Sequence, residues 1–494
     1  MSSSSKAKRS ANSSGWKFIP HSYQEEGIKW LISKSYNGLF WDPGLGKTAT
    51  VLHAFDILQK KDFIDSVLIV AKKRIVRKTW PDEIRKWLPD LSISSIMGSE
   101  KQRIEAMRYE ADVYLINYEN LRWLCKNWKL NNFGRCWFVA DESSKLRNIN
   151  TKMFKTLRHK LKDFERRTIL TGTPIPNGMI NLFGQMYVVD LGESLGQYIG
   201  TFRNRYFEPT GYMGYQWSLI PGCEEQIYDA IADRILRSDS SELDLPELVN
   251  VTRSFTLSDD VMQLYKEMEE EFLIELESGV VTATNSAVAS GKCRQIVNGA
   301  IFDSPDPTDG DDNPRSKKQW HPVHEEKIEE LVELLQELNG KPALICYEYR
   351  HDRERIEKAI LSDQMLSSLM PRKDGKPYVP YIGGGTKDKD ADQYIDWWNE
   401  GALPVLLGHP ESMAHGLNMQ EVNAAVVFFS MTWNMENYEQ FVRRVWRQGQ
   451  EHPVFVYHLI AEGTIDERMM ATIEEKQTNQ QDLLNGLLRR KQSG

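Results

Sequence analysis

Two α/β units in series are what this sequence predicts, on three observations. Short, continuous apolar runs rich in β-branched residues recur along the chain, each bounded by polar or Gly/Pro breaks. Continuous rather than alternating runs fit parallel strands buried on both faces. Helix-like segments lie between them, such as residues 79–88 and 325–338, which is the alternation of layered α/β architecture. Finally, a Gly-rich turn follows the first apolar run and two acidic residues end a later one, at the sheet edge where open α/β folds bind ligands.

Taken in order, residues 1–15 are Ser-rich with Lys6, Lys8 and Arg9 and lack the apolar run of a secretory signal; a disordered tail is expected. Residues 16–245 form the first unit. Its strands are expected at 38–41, 66–71, 113–117, 136–140 and 168–170, with a helix over 49–60. The stretch 239–246 is polar and turn-like, placing the main boundary near residue 245. Residues 246–470 form the second unit, with strands at 342–347, 404–407, 424–429 and 453–457. A helical insertion is expected around 257–322, because 257–276 carries apolar positions at helical spacing. Within it, 304–315 is rich in Asp, Pro and Gly and reads as a surface loop. Residues 471–494 are expected to be a C-terminal helix or tail, part of a helical stretch over 465–490 that braces one unit on the other.

Composition narrows the class. A chain of 494 residues exceeds one compact core. With 40% hydrophobic and 27% charged residues it reads as soluble and globular. The net charge of −8 means that any nucleic-acid contact must come from local basic patches. Cys125, Cys136, Cys223, Cys293 and Cys346 are scattered and odd in number, so neither a zinc module nor a disulfide framework is indicated. Buried, reduced thiols and a cytoplasmic setting are expected. His321 and His324 lack the Cys or His partners that would complete a metal site. No run of eighteen apolar residues occurs, so no membrane span is expected.

The sharpest chemical signal is Asp42-Pro43-Gly44-Leu45-Gly46-Lys47-Thr48. A strand, a Gly-rich turn ending Gly-Lys-Thr and a helix are the layout of a nucleotide phosphate loop. Gly44, Leu45, Gly46 and Ala49 would close backbone N–H groups around phosphate oxygens, at the positive end of the helix dipole. Lys47 would reach the β- and γ-phosphates and Thr48 would hold Mg²⁺. The general pattern has a glycine five residues before Gly46, where this chain has Trp41. The bland alternative is a chance Gly-rich turn.

The run Cys136-Trp137-Phe138-Val139-Ala140 leads directly into Asp141-Glu142-Ser143-Ser144. Asp141 there can hold the Mg²⁺ shell through water, and Glu142 can polarise an attacking water. By itself the pair also suits an ordinary helix N-terminus. In the second unit, Gln440-Phe441-Val442-Arg443-Arg444-Val445-Trp446-Arg447-Gln448-Gly449-Gln450 puts Arg444 and Arg447 on one helical face. Alone, that face suits solvent or DNA phosphates. Opposite a phosphate loop, it suits charge on a transferring phosphoryl group.

Together these motifs resemble, in order, those of the Swi/Snf-like ATPases of helicase superfamily two, from about Phe18 to Met469. Ser22-Tyr23-Gln24-Glu25-Glu26-Gly27-Ile28-Lys29-Trp30-Leu31 is similar to the adenine-reading Q motif, with Gln24 as reader. Residues 42–48 resemble motif I, 68–80 motif Ia, and Asn117-Tyr118-Glu119 the next DNA-side motif. Asp141 to Asn148 resembles the family's Asp-Glu-Ala-His box, with Ser143 and Ser144 in place of Ala and His. Leu170-Thr171-Gly172-Thr173-Pro174-Ile175-Pro176-Asn177 resembles motif III, His415-Gly416-Leu417-Asn418 motif V, and 440–450 motif VI. The short, bare chain is similar to phage or bacterial members, or to the fork-remodelling annealing branch.

The resemblance implies two RecA-like lobes with ATP in the cleft between them. It implies an ATP hydrolase in which Lys47, Glu142, Arg444 and Arg447 are catalytic and Thr171 and Thr173 couple hydrolysis to lobe movement. It also implies DNA, duplex or forked, lying across both lobes. Lys72, Lys73, Arg74, Arg77 and Lys78 form the densest basic cluster and are the candidate backbone contacts, with a solvated charged face as the alternative. A monomeric translocase on duplex DNA is expected, in a bacterial cytoplasm or phage-infected cell. A strand-separating or annealing helicase and a nucleotide-binding scaffold are the other readings.

Overall fold

The computed structural model describes residues 18–175, 178–210, 216–238, 245–277, 283–302, 319–413 and 417–477. The expected tail 1–15, the turn at 239–244, the loop at 304–315, and residues Pro176, Asn177, His415, Gly416 and 478–494 lie outside those residues.

The first lobe is a seven-stranded sheet. Its strands are β1 (Tyr36–Trp41), β2 (Ser66–Ala71), β3 (Ile93–Ser95), β4 (Val113–Asn117), β5 (Cys136–Asp141), β6 (Arg166–Thr171) and, after a hairpin of β7 (Phe207–Thr210) and β8 (Gln216–Leu219), β9 (Ile235–Ser238). The order is β3-β4-β2-β5-β6-β1-β9, and every pairing is parallel. Strands β2, β4, β5 and β6 are buried along their whole length. Alternate residues serve opposite faces, as the strand period of two requires: Leu68, Val70, Ile116 and Phe138 enter one core, and Val67, Ile69, Leu115 and Val139 the other.

The second lobe repeats the plan. Its strands are β10 (Leu248–Phe255), β13 (Ala343–Cys346), β16 (Tyr381–Ile382), β17 (Val405–Gly408), β18 (Ala425–Phe428) and β19 (Val454–Ala461); short pairs β11 (Ala300–Phe302) with β12 (Trp320–Pro322), and β14 (Arg372–Lys373) with β15 (Lys376–Pro377), stand apart. The order is β10-β19-β18-β13-β17-β16, again parallel throughout. The fold is α/β with two mostly parallel, helix-flanked sheets.

Each apolar run listed above is a strand. In the two main sheets four short or edge strands escaped, β3, β9, β10 and β16, as did the short paired strands β7, β8, β11, β12, β14 and β15. Strand β9 carries Arg237, and β10 alternates half-buried with exposed positions at a sheet edge, so neither shows the continuous apolar signature. The helix expected over 79–88 is Trp80–Trp87, entered through a π-helical turn at Ile75–Thr79. The 257–276 pattern is the helix Asp259–Glu277. Of the stretch expected to brace the lobes, the described residues 465–477 are helical and place Ile465, Met469 and Ile473 in the second lobe's own core. Their i, i+4, i+8 spacing makes one apolar stripe, and that lobe's core takes it. All five cysteines are buried and free. Among the described residues, no helix is long and apolar enough to cross a membrane.

Candidate nucleotide site between the lobes

Strand β1 ends at Trp41, and the turn that follows opens the helix Lys47–Lys60. Gly44 (φ 94°) and Gly46 (φ 74°) occupy the left-handed region, which only glycine enters without strain. A Cβ on Gly46 would also collide with the Gln24 amide. Gln24, in the helix Ser22–Ser33, is buried; its Oε1 accepts from the His21 backbone N–H at 3.0 Å and its Nε2 donates to Leu45 O at 3.2 Å. The expected adenine reader thus braces the loop. Lys47 Nζ donates to Trp41 O at 2.7 Å and Asp42 O at 3.2 Å. Burial pulls its pKa down, opposed by Glu142, Asp141 and Asp42. Thr48 and buried Ala49 stand in the first helical turn.

Asp141 closes β5 with its carboxylate buried, and Trp80 Nε1 donates to its Oδ2 at 3.0 Å. Burial raises the Asp141 pKa against that hydrogen bond and Lys47. Tyr118 Oη donates to Asp141 O at 2.7 Å. Glu142 has φ 58°, a strained conformation for a residue with a Cβ, of the kind that collects at functional sites. Burial raises its pKa as well; Lys72 pulls it back while Glu436 and Asp141 push it up.

This arrangement fits Mg²⁺–ATP. The loop offers two glycines in the left-handed region and a half-buried cation, and the end of β5 adds a buried and a half-buried carboxylate, Asp141 and Glu142. Among the described residues, no group of three or more His, Cys, Asp or Glu side chains is placed to hold a metal ion. Mg²⁺ needs no such group, since it keeps waters and binds through one or two protein oxygens plus phosphates.

The serines of the acid box point two ways. Ser143 Oγ donates to Gln185 Oε1 at 2.8 Å, and Gln185 Nε2 donates to Pro174 O at 2.7 Å. Ser144 Oγ donates to Glu436 Oε1 of the second lobe at 3.1 Å. Thr171 ends β6, and its Oγ1 accepts from the Thr173 backbone N–H at 3.1 Å. A Cβ on Gly172 would meet Pro43 at 2.8 Å, so the Thr171–Thr173 turn lies directly on the phosphate loop.

The second lobe reaches the site from the helix Met435–Val442 and its C-cap, Arg443. Gln440 Nε2 donates to Glu142 Oε2 at 3.3 Å. Arg443 Nη2 pairs with Asp42 Oδ2 at 3.3 Å, while buried Arg237 takes Asp42 Oδ1 at 3.0 Å. Arg444 is buried; its Nε donates to Gln440 O at 2.7 Å and its Nη1 to Leu417 O at 3.1 Å. Burial, with Arg447 beside it, brings its pKa down to about 9, still cationic at neutral pH. Arg447 donates to the Asn418 side chain and, at 3.5 Å, to Leu417 O. The two expected arginines therefore hold the 417–418 turn, with Glu142 of the first lobe close enough to raise the pKa of Arg444, and Arg443 pairs directly with Asp42 on the phosphate-loop side. Sequence reasoning passed over Arg443, Gln440 and Glu436. The helical face expected for Arg444 and Arg447 does not form: the helix ends at Val442 with Arg443 as its C-cap, and both arginines lie in the turns beyond it, bonding back to Gln440 and the 417–418 turn.

The basic cluster also faces the other lobe. Arg74 and Lys78 pair with Asp392 at 2.8 and 3.3 Å, Arg77 pairs with Asp388, and Lys72 pairs with Glu436 at 3.5 Å. Lys73 is exposed. Both aspartates lie on the helix Asp388–Asn399. Lys72, Lys73, Arg74, Arg77, Lys145 and Arg147 line an inter-lobe cavity of about 640 Å³. Lys72 and Arg74 are half-buried at this interface, while Arg77 and Lys78 stay exposed.

Two family patterns match the chain: the SNF2-related domain over residues 23–302 and the helicase conserved C-terminal domain over 326–449. Protein p41 of Acyrthosiphon pisum secondary endosymbiont phage 1 is 32% identical over 96% of this chain and 99% of its own. A Danio rerio DNA repair and recombination protein, RAD54-like, is 24% identical over 91% of this chain and 65% of its own. Two bacterial relatives are longer still, and the chain spans 48% and 41% of their lengths. Among solved structures, a Sulfolobus solfataricus SWI2/SNF2 ATPase core in complex with dsDNA is 22% identical, covering 94% of this chain and 93% of its own, with a TM-score of 0.41.

Proposed function

We propose that this chain, which belongs to the SNF2-related helicase family and carries that family's helicase-like ATPase core, is a DNA-dependent ATP hydrolase that moves along duplex DNA. Lys47 binds the β- and γ-phosphates, and Glu142 polarises the attacking water. Bound Mg²⁺, held by Thr48 and by Asp141 through water, would neutralise phosphate charge. Arg443, Arg444 and Arg447 supply cations from the second lobe.

One observation supports the reading most. The candidate phosphate loop and acid box lie in one lobe, yet each takes a contact from the other: Asp42 from Arg443 and Glu142 from Gln440. A site completed only by closure is what couples hydrolysis to movement. The cavity between the lobes carries six basic side chains beside the acidic Glu119, Asp388, Glu411 and Glu436, and phosphate contacts grip every sequence alike. The DNA role named for the Danio rerio relative agrees with this choice of polymer.

The test is the ATPase rate with duplex, single-stranded and forked DNA and with RNA, alongside displacement of a third strand from a triplex. Duplex-stimulated hydrolysis with third-strand displacement and no strand separation is expected. DNA affinity should fall on the order of a hundredfold or more between low and moderate salt. Full activity without nucleic acid, or a flat salt response, would overturn the reading. Unwinding of the forked substrate would assign the chain to strand-separating helicases instead.

A further inference from the structure

We propose that Glu436 is a positioning residue for hydrolysis: together with Ser144 it fixes Gln440 against Glu142 when the lobes close, so that the second lobe sets the carboxylate that polarises water. The inference rests on the hydrolase reading above and names the residues through which closure acts.

Glu436 is 5% exposed, near the start of the helix Met435–Val442. A carboxylate so deep is rare unless paired. Its Oε1 accepts from Ser144 Oγ at 3.1 Å and from Gln440 Nε2 at 3.2 Å, and lies 3.5 Å from Lys72 Nζ. Its Oε2 lies 3.8 Å from Arg147. Three of these four partners, Ser144, Lys72 and Arg147, belong to the first lobe. Gln440 stands four residues on and so shares a helix face with Glu436. The same Nε2 donates to Glu142 Oε2 at 3.3 Å. An amide nitrogen has two protons, and here one goes to each carboxylate. Gln440 therefore tethers two acids, buried Glu436 and half-buried Glu142, one from each lobe.

Ser144 is the other half of the device. It follows Glu142 by two residues and is buried, so its hydroxyl anchors Glu436 to the strand end that carries Asp141. With lobes apart, neither the Ser144–Glu436 nor the Gln440–Glu142 hydrogen bond can form. Glu142 would then keep its backbone strain but lose the contact that orients its carboxylate. Ser143 points instead to Gln185 and the 171–174 turn, so adjacent hydroxyls serve different connections.

The test is a double-mutant cycle on the full-length protein, with Ser144→Ala, Glu436→Gln and the pair, reading kcat and KM for ATP at saturating duplex DNA. Each single change is expected to lower kcat about tenfold with KM for ATP within about twofold, because the phosphate loop is untouched. The double variant should lose no more than either single one, as residues acting through one link are not additive. Ser144→Thr keeps the hydroxyl and should restore kcat. Thermal melting of Ser144→Ala checks folding, and that variant alone decides the matter if Glu436→Gln fails to fold. Losses that multiply, an unchanged kcat, or a Ser144→Thr variant as slow as Ser144→Ala would each overturn the inference. A wild-type protein that hydrolyses ATP without DNA would defeat the DNA-motor reading while leaving the cycle interpretable.

Discussion

The first lobe builds its half of the site from strand ends, whereas the second builds its half from one short helix and a C-cap. The loop after β1, Asp141 at the end of β5 and Thr171 at the end of β6 hang from a sheet buried on both faces. Such loops stay placed whether or not the lobes touch. Glu436, Gln440 and Arg443 matter to Glu142 and Asp42 only across the interface. The contrast is between groups that one sheet positions by itself, the phosphate loop and the acid box, and groups that reach them only when the lobes touch. The basic cluster shows the same asymmetry: Arg74, Arg77 and Lys78 of the first lobe meet Asp388 and Asp392 of the second.

The largest effect should fall on the strand-end half. Lys47→Ala should nearly abolish hydrolysis, and Glu142→Gln should keep ATP binding while lowering turnover by roughly 10³-fold, within the range for removing a positioned base. Nucleotide binding measured beside steady-state turnover checks both, and wild-type-like turnover in either variant would break the assignment of chemistry to the first lobe.

Comparable to the Glu142 effect at most are those of the second lobe's cations, where Arg443 and Arg444 can be set against each other. Arg444→Ala should cost roughly 10³-fold in kcat at saturating ATP and DNA if its charge stabilises the transferring phosphoryl group. Arg443→Ala should cost only about tenfold, or about 1.4 kcal/mol, if it acts through its pair with Asp42. The reverse order would give the phosphoryl-facing role to Arg443. Rescue of Arg444→Ala by excess DNA would make Arg444 a DNA contact instead.

Smaller still is the acidic helix opposite the basic cluster. Its ion pairs are partly exposed and worth roughly 0–1 kcal/mol each. Asp388→Asn with Asp392→Asn should therefore raise DNA affinity by no more than a few-fold, measured by fluorescence anisotropy at moderate salt. A loss of affinity would mean that these aspartates support DNA binding rather than compete with phosphate.

The smallest effect is on stability. Burial raises the folded pKa of Glu142 above its ordinary value of 4.5, so the folded state holds its proton where the unfolded state has released it. Stability from this group is then full below that ordinary value and declines as pH rises through the folded pKa. Glu142→Gln removes the decline. Its melting temperature should exceed that of wild type at neutral pH by a few degrees, with the gap closing toward pH 4. A gap that widens on acidification would reverse the sign.

Local order determined what the sequence could announce by itself. The long parallel strands are continuous apolar runs because both faces of each sheet are covered, and the phosphate loop is legible because glycine is required where φ is positive, at Gly44 and Gly46. Asp141 and Glu142 are legible because they follow a buried strand directly. The tertiary structure alone decided what meets across the cleft. That Asp42 takes Arg443, that Ser144 finds Glu436, and that the basic cluster faces an acidic helix depend on pairs hundreds of residues apart. No periodicity encodes such pairings. They follow from how two separately folded sheets dock, and a one-residue step at a helix end was enough to hand Asp42 to Arg443 rather than to Arg444.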